Sequence, residues 1–152
     1  MAGSYKTTPA RRAVDRIIAA LGRRGIAPGG IASLTVVGRR SGTPRTVPVT
    51  PVVVDGRRYL VAPYGPVGWV RNLRAAGEAT LQRGRRRERI AVEEVAPEAA
   101  APVLKHYVQR IAIVRPHVAA SPDAELSEFI RIAHRHPVFA IRADPDRPAG
   151  EG

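Results

Sequence analysis

Residues 45–62 read Arg45-Thr46-Val47-Pro48-Val49-Thr50-Pro51-Val52-Val53-Val54-Asp55-Gly56-Arg57-Arg58-Tyr59-Leu60-Val61-Ala62. Two apolar, β-branched runs flank Asp55-Gly56, a dipeptide suited to the positive φ angles of a two-residue hairpin turn. Val47, Val49 and Val53 alternate along 45–54, as in a strand with one buried face. Pro48 and Pro51 have no N–H to give to a ladder, so this strand belongs at a sheet edge or carries a bulge. The second strand of the hairpin covers 58–62. A turn this short makes its strands antiparallel and argues against a doubly wound parallel sheet.

The chain on either side extends the pattern. Residues 31–38 are β-branched and apolar and form a strand. Strands over 79–83 and 86–95 make a second hairpin around Gly84-Arg85, and 138–142 is a closing strand. Between the hairpins a short helix spans 68–76, closed by Gly77. Further on, Ala100, Val103, Leu104, Tyr107, Val108 and Ile111 recur at helical spacing, predicting a helix to about Val114 that starts or bends at Pro102. Ser121-Pro122-Asp123 opens another helix, carrying Leu126, Phe129, Ile130 and Ala133. At the other end Ala10, Ala13, Val14, Ile17, Ile18 and Leu21 mark an amphipathic helix over 9–24, with Thr8-Pro9 at its start. Six strands joined by short turns and interrupted by helices predict a small, mostly antiparallel α+β barrel. The expected organisation is a helix and linker over 1–30, a barrel domain over 31–143 and a mobile tail over 144–152.

The 152 residues suffice for one domain with a core of its own, and the chain has no cysteine, which excludes disulfides and thiolate chemistry. No apolar run approaches the roughly 18 residues that span a bilayer, and no apolar stretch follows the basic N-terminus as in a secretory signal. The expected location is cytoplasmic. Net charge is +12, and it is uneven: residues 1–90 hold 18 basic and 4 acidic side chains, residues 91–152 hold 7 and 9. Such a field attracts anions. Without a helix-turn-helix, zinc or RNA-binding motif, and with 5% aromatic residues, nucleic acid is not the expected partner. The basic run 83–89 reads as a solvated hairpin tip.

Two segments carry candidate chemistry. In Gly38-Arg39-Arg40-Ser41-Gly42-Thr43-Pro44-Arg45 one strand ends, a turn follows and the next strand begins. Three arginines surround that turn, and arginine forks match phosphate and carboxylate oxygens two at a time. An ordinary hairpin with solvated arginines has the same spacing. In Pro63-Tyr64-Gly65-Pro66-Val67-Gly68-Trp69-Val70-Arg71-Asn72 a glycine-rich loop opens a helix, whose free N–H groups attract anions. Trp69 packs in the core or walls a flat ring; Asn72 donates to a ligand or caps a neighbouring loop. His134-x-His136 has the wrong spacing for a helical metal pair and no third ligand nearby. His106 and His117 stand alone, so all four histidines read as structural or surface residues.

Together, the stretch 34–45, Pro48, Asp55-Gly56, Val61-Ala62 and Gly68-Trp69-Val70-Arg71-Asn72-Leu73 resemble the deazaflavin-dependent nitroreductase family, a branch of the flavin-binding split barrels. The resemblance runs from about residue 31 to 144. It implies a split β-barrel and coenzyme F-420, a deazaflavin with a phosphodiester and an oligoglutamate tail, in preference to FMN. Arg39, Arg40 and Arg45 match the family's basic residues near the tail. Pro48 and Ala62 match positions along the ring, and Asn72 matches a polar contact to the cofactor. Ser41, Gly42, Tyr64, Gly65, Gly68 and Trp69 complete the implied cofactor set.

The chain also departs from the family. The Ser-Lys before the tryptophan helix is replaced by a shorter Tyr64-Gly65-Pro66-Val67, so a phosphate contact is lost or supplied by Arg71 or Arg74. Phe129 stands where relatives have tyrosines before the last strand, with Tyr107 upstream. Tyr64 is the catalytic candidate, as pocket wall or proton donor, beside a plain packing role. The implied activity is hydride transfer from the reduced cofactor to a quinone, enone or nitro compound. The alternative is a non-catalytic protein of the same fold binding a deazaflavin, a fatty acid or another hydrophobic anion. The expected partner is a small-molecule hydride acceptor and the expected state a monomer or homodimer. The basic helix over 9–24 leaves peripheral contact with a membrane's inner face open.

Overall fold

In the computed structural model residues 30–142 are described. The helix expected over 9–24 and the tail expected over 144–152 lie outside the described residues. Seven strands form one antiparallel sheet: β1 (Ala32–Val37), β2 (Pro44–Val49), β3 (Val52–Val54), β4 (Arg57–Val61), β5 (Glu78–Arg83), β6 (Arg86–Glu94) and β7 (Val138–Arg142). Their order is β2-β1-β5-β6-β7-β4-β3. The single strand expected over 45–54 is therefore two, broken at Thr50-Pro51. Pro51 has no N–H for a ladder, and here the chain leaves one edge of the sheet and joins the other. Both halves are edge strands, as suits Pro44 and Pro48 in β2.

This crossover bends the sheet. Val49 and Val52 are three Cα steps apart, at most about 11 Å, yet they sit on opposite edges of a seven-stranded sheet. The edges approach without pairing, and the sheet curls into a split barrel. Asp55 (φ 52°) and Gly56 (φ 78°) make the expected turn between β3 and β4.

Helix α1 (Gly68–Ala76) joins β4 to β5 and ends at Gly77, whose N–H bonds the Leu73 carbonyl at 2.8 Å. Between β6 and β7 lie α2 (Pro97–Arg110), a 3-10 turn (Ala112–His117), α3 (Leu126–Ile132) and a second 3-10 turn (Ala133–Arg135). Helix α2 begins earlier than its apolar spacing suggested, because Pro97 favours a first helical position. Pro102 lies within it on the exposed side, where the carbonyl deprived of its donor can meet water. The helix stops at Arg110, and the chain tightens into the 3-10 turn before Val114. Ser121-Pro122-Asp123 is a turn, closed by Ala124 N–H to the Ser121 carbonyl at 2.9 Å, and α3 starts only after Glu125.

Two apolar cores share the sheet. One fills the barrel beneath α1, with Leu34, Leu60, Val70, Leu73, Ile90 and Phe139. The other lies under α2 and α3, with Val61, Leu104, Val108, Phe129, Ile132 and Val138. Leu60 and Val61 enter different cores, as do Phe139 and Val138, since successive side chains of a strand point to opposite faces. Strands β4 and β7 are thus covered on both sides and show unbroken apolar runs. Tyr107 of α2 is buried, and its phenol bonds Thr50 at the crossover.

The loop leaving β4 is locked at several points. The Ala62 N–H bonds the Pro137 carbonyl (2.9 Å), the Gly65 N–H bonds the Ala62 carbonyl (3.2 Å), and the Val67 N–H bonds the Gly65 carbonyl (2.8 Å). Gly65 has φ 94°, a region closed to most side chains. His136, 4% exposed, donates from Nδ1 to the Pro63 carbonyl at 2.8 Å. Burial pushes its pKa below the usual histidine value, with the Pro63 carbonyl opposing and Arg135 adding. The unfolded chain takes up a proton near about pH 6.5, and the folded state only below that. Stability due to neutral His136 is therefore present above this pH and drains away as pH falls towards the folded value. Thermal unfolding followed by circular dichroism should show the parent losing more stability between about pH 7.5 and 5.5 than His136→Asn. Parallel curves would remove His136 as the source.

Candidate functional site

The turn between β1 and β2 is built around Gly38. Its N–H bonds the Thr43 carbonyl and its carbonyl accepts from the Gly42 N–H, both at 2.9 Å, while the Thr43 N–H bonds Ser41 Oγ at 3.1 Å. A Cβ on Gly38 would sit 2.7 Å from Ser41 Oγ, 3.2 Å from the Thr43 carbonyl oxygen and 3.5 Å from Arg45 Nε. Glycine is what the close approach of Ser41 and the Thr43 carbonyl requires, and Arg45 Nε lies just beyond them. Arg39 is held from the other side: its backbone N–H (3.1 Å) and its Nη1 (2.8 Å) both donate to Asn72 Oδ1. Asn72 sits on α1 and is 6% exposed. Arg45 thus lies beside Gly38 and Arg39 is tied to α1, with Arg40, Ser41 and Gly42 forming an exposed rim.

The charge on this turn is not cancelled. Elsewhere arginines face glutamates: Arg58 with Glu88, Arg74 with Glu94, Arg89 with Glu78, Arg131 with Glu128 and Arg142 with Glu93. Among the described residues none of Arg39, Arg40 and Arg45 has an acidic partner. Arg74, one of two arginines considered as a replacement for the missing lysine, is gripped by both oxygens of Glu94 at 2.7 and 2.8 Å. That bond raises the Arg74 pKa further. Arg71, one turn earlier and exposed, keeps the alternative role open.

Helix α1 joins this turn to a second feature. Its N-terminus at Gly68 has neither a side-chain cap nor an acidic residue in the first turn. Trp69 is half-buried, its ring 6.5 Å from that of Phe139, so one side packs on the barrel core while part stays accessible. Just before the helix an open cleft of about 510 Å³ is lined by Pro63, Tyr64, Gly65, Pro66, His117, His134, Arg135 and His136. Tyr64 is 58% exposed and meets His117 edge-on, with ring centroids 4.7 Å apart and planes at 78°. Burial raises the Tyr107 pKa, the Tyr64 phenol adds to this, and the Thr50 bond opposes it.

The sequence-predicted residues therefore fall into two groups bridged by α1. Arg39, Arg40, Ser41, Gly42, Arg45 and Asn72 share the turn; Tyr64 and Gly65 belong to the cleft; Gly68 and Trp69 stand between. Pro48 lies on edge strand β2, about 13 Å along from Pro44. Ala62 is buried at 1% exposure, behind the Pro63 loop. The three histidines at the cleft were missed by sequence reasoning, and nothing in their spacing could have shown them, since His117 reaches Tyr64 across 53 positions. Among the described residues no three histidine or acidic side chains come together in a way that could hold a metal.

Known structures share the architecture. A protein described as an F420-H2 dependent reductase, FDR-A, superposes with a TM-score of 0.50 at 22% identity, covering 74% of this chain and 94% of its own. One described as a domain-swapped dimer gives 0.53 at 20%, covering 89% and 100%. A heme binding protein from Mycobacterium smegmatis gives 0.51 at 16%, covering 79% and 49%. At such identities these similarities establish the split-barrel fold and nothing finer. No curated protein matches the sequence. The family described as F420H(2)-dependent quinone reductase does match, over residues 10–125. The chain belongs to that family, and is an F420-dependent reductase on a split β-barrel.

Proposed function

We propose that the chain passes a hydride from reduced coenzyme F-420 to a quinone, enone or nitro compound. In this reading the coenzyme's phosphodiester and oligoglutamate tail rests on Arg39, Arg40 and Arg45. The observation that carries it is the unneutralised charge on an ordered turn. Arg39, Arg40 and Arg45 are carried on one exposed turn without an acidic partner among the described residues, while five other arginines are spent on glutamates. A tail with several separated negative groups suits such a dispersed cradle. The single phosphate of FMN would leave part of it unused.

When bound, the coenzyme supplies the redox chemistry. The chain's own residues bind, orient and exclude water. The Ser41-Gly42 turn gives anionic oxygens a close approach to the rim. The accessible side of Trp69, with Gly68 and Pro48, offers an apolar wall for a flat ring, and buried Ala62 backs the loop that shapes it. Arg71 replaces the family's phosphate-binding lysine. Tyr64, held at the cleft by the locked loop, lines the acceptor's seat and gives a proton to its oxygen. Buried Tyr107 stays protonated behind it.

Replacing Arg39, Arg40 and Arg45 together by alanine should weaken F-420 binding about a hundredfold or more, since charge-assisted hydrogen bonds are each worth ~1.5–3 kcal/mol. Titration calorimetry measures this, and the melting temperature should hardly move. Unchanged affinity would put the tail elsewhere. Tyr64→Phe should lower kcat with menadione or a nitroaromatic by about a hundredfold, the lower range for a positioned proton donor, while F-420 affinity stays within about twofold of the parent. Unchanged turnover would remove the proton-donor role.

A further inference from the structure

Asn72 contributes nothing through helix propensity, where asparagine is a poor choice, and yet it is 6% exposed within α1. Its Oδ1 takes two hydrogen bonds from one residue: the Arg39 backbone N–H at 3.1 Å and Nη1 at 2.8 Å. Both partners are donors, so the oxygen and not the amide nitrogen must face them. The bonds fix the two ends of a long side chain, and ordering such a chain in advance removes an entropy cost from any later binding event.

An aspartate here could accept the same two bonds. It would also place a full negative charge against the Arg39 guanidinium, as glutamates do at Arg58, Arg74, Arg89, Arg131 and Arg142. Alanine would leave the charge but not the order. Among these three, asparagine alone orders the arginine and leaves its charge whole. We infer that Asn72 is a positioning residue acting through Arg39, a neutral clamp that keeps the guanidinium both fixed and available to an anionic ligand. The inference rests on the reading of Arg39 as part of the tail cradle. It replaces a direct polar contact between Asn72 and the coenzyme with an indirect one.

The test is a double-mutant cycle between Asn72→Asp and Arg39→Gln, with coenzyme F-420 and the tail-less deazaflavin riboside as probes. Affinity is measured by calorimetry over a range of salt concentrations, and folding by thermal denaturation. Asn72→Asp should melt no lower than the parent and should weaken F-420 binding about tenfold, the scale of one charge-assisted contact. Its salt dependence should be shallower, because one fewer charge is left to screen. Riboside affinity should not change, and in the Arg39→Gln background the aspartate should cause no further loss.

Full F-420 affinity in Asn72→Asp would overturn the inference. So would an equal loss with and without Arg39, which would make Asn72 a direct contact. Should the aspartate variant fail to fold, Asn72→Ala replaces it: its loss of affinity must vanish in the Arg39→Gln background, and persistence there overturns the clamp. Failure of the parent itself to bind F-420 would overturn the proposed function and the inference with it. Failure confined to the cycle would leave the proposed function standing.

Discussion

Thr50 and Pro51 are the only residues between β2 and β3, yet those strands lie at opposite edges of the sheet. Laid flat, seven strands would hold the edges about 29 Å apart, and a two-residue link cannot reach across that. The sheet has to curl until its edges approach. Pro48 has no N–H to offer on one of those edges, and the two edges do not pair, so the barrel is split. Tyr107 then reaches from α2 to bond Thr50, tying the outer helical layer to the place where the curl is imposed.

Curling decides what can meet. Strand β1 runs antiparallel to β5, with Thr35 opposite Thr80 and Ser33 opposite Gln82. The Arg39 turn, at the far end of β1, therefore lies away from the basic hairpin at the end of β5. The two arginine-rich segments of the sequence occupy opposite ends of the barrel. One is gathered by a glycine turn and an asparagine. The other joins β5 and β6, where Arg89 meets Glu78 and Glu88 meets Arg58 of β4. The same residue type thus serves two ends, and what separates them is the partner that the fold supplies.

Local signals in the sequence were readable because their causes are local. Asp55-Gly56 makes its hairpin turn through backbone freedom alone, Gly77 caps α1 through a single carbonyl, and alternation reveals which strands have a solvent face. The breaks that were misread needed information from elsewhere. Whether Pro51 bends one strand or divides two depends on the second edge, six strand positions away in the folded sheet. Whether Pro102 starts a helix or sits inside one depends on the exposure of its face. The site was legible to the same extent. The loop of arginines could be found, but not the bond from Arg39 to Asn72, which spans 33 positions, nor that from His136 to Pro63, which spans 73. Such pairs have no periodicity, and only the topology brings them together.

The two locked loops answer one physical conflict in different ways. A surface that must receive an anion needs its cations ordered, since flexible side chains lose entropy on binding. The ordinary way to order an arginine is an ion pair, and that cancels the charge for which it is wanted. At the Arg39 turn the order comes instead from backbone bonds around Gly38 and from one neutral amide oxygen. At the Tyr64 loop it comes from Gly65, from main-chain bonds and from the buried imidazole of His136, so that the phenol is presented without being consumed as a structural partner. In both places neutral groups build the framework and the candidate group stays exposed. The loop before α1 is rigid enough to hold an exposed aromatic ring at the edge of a cleft.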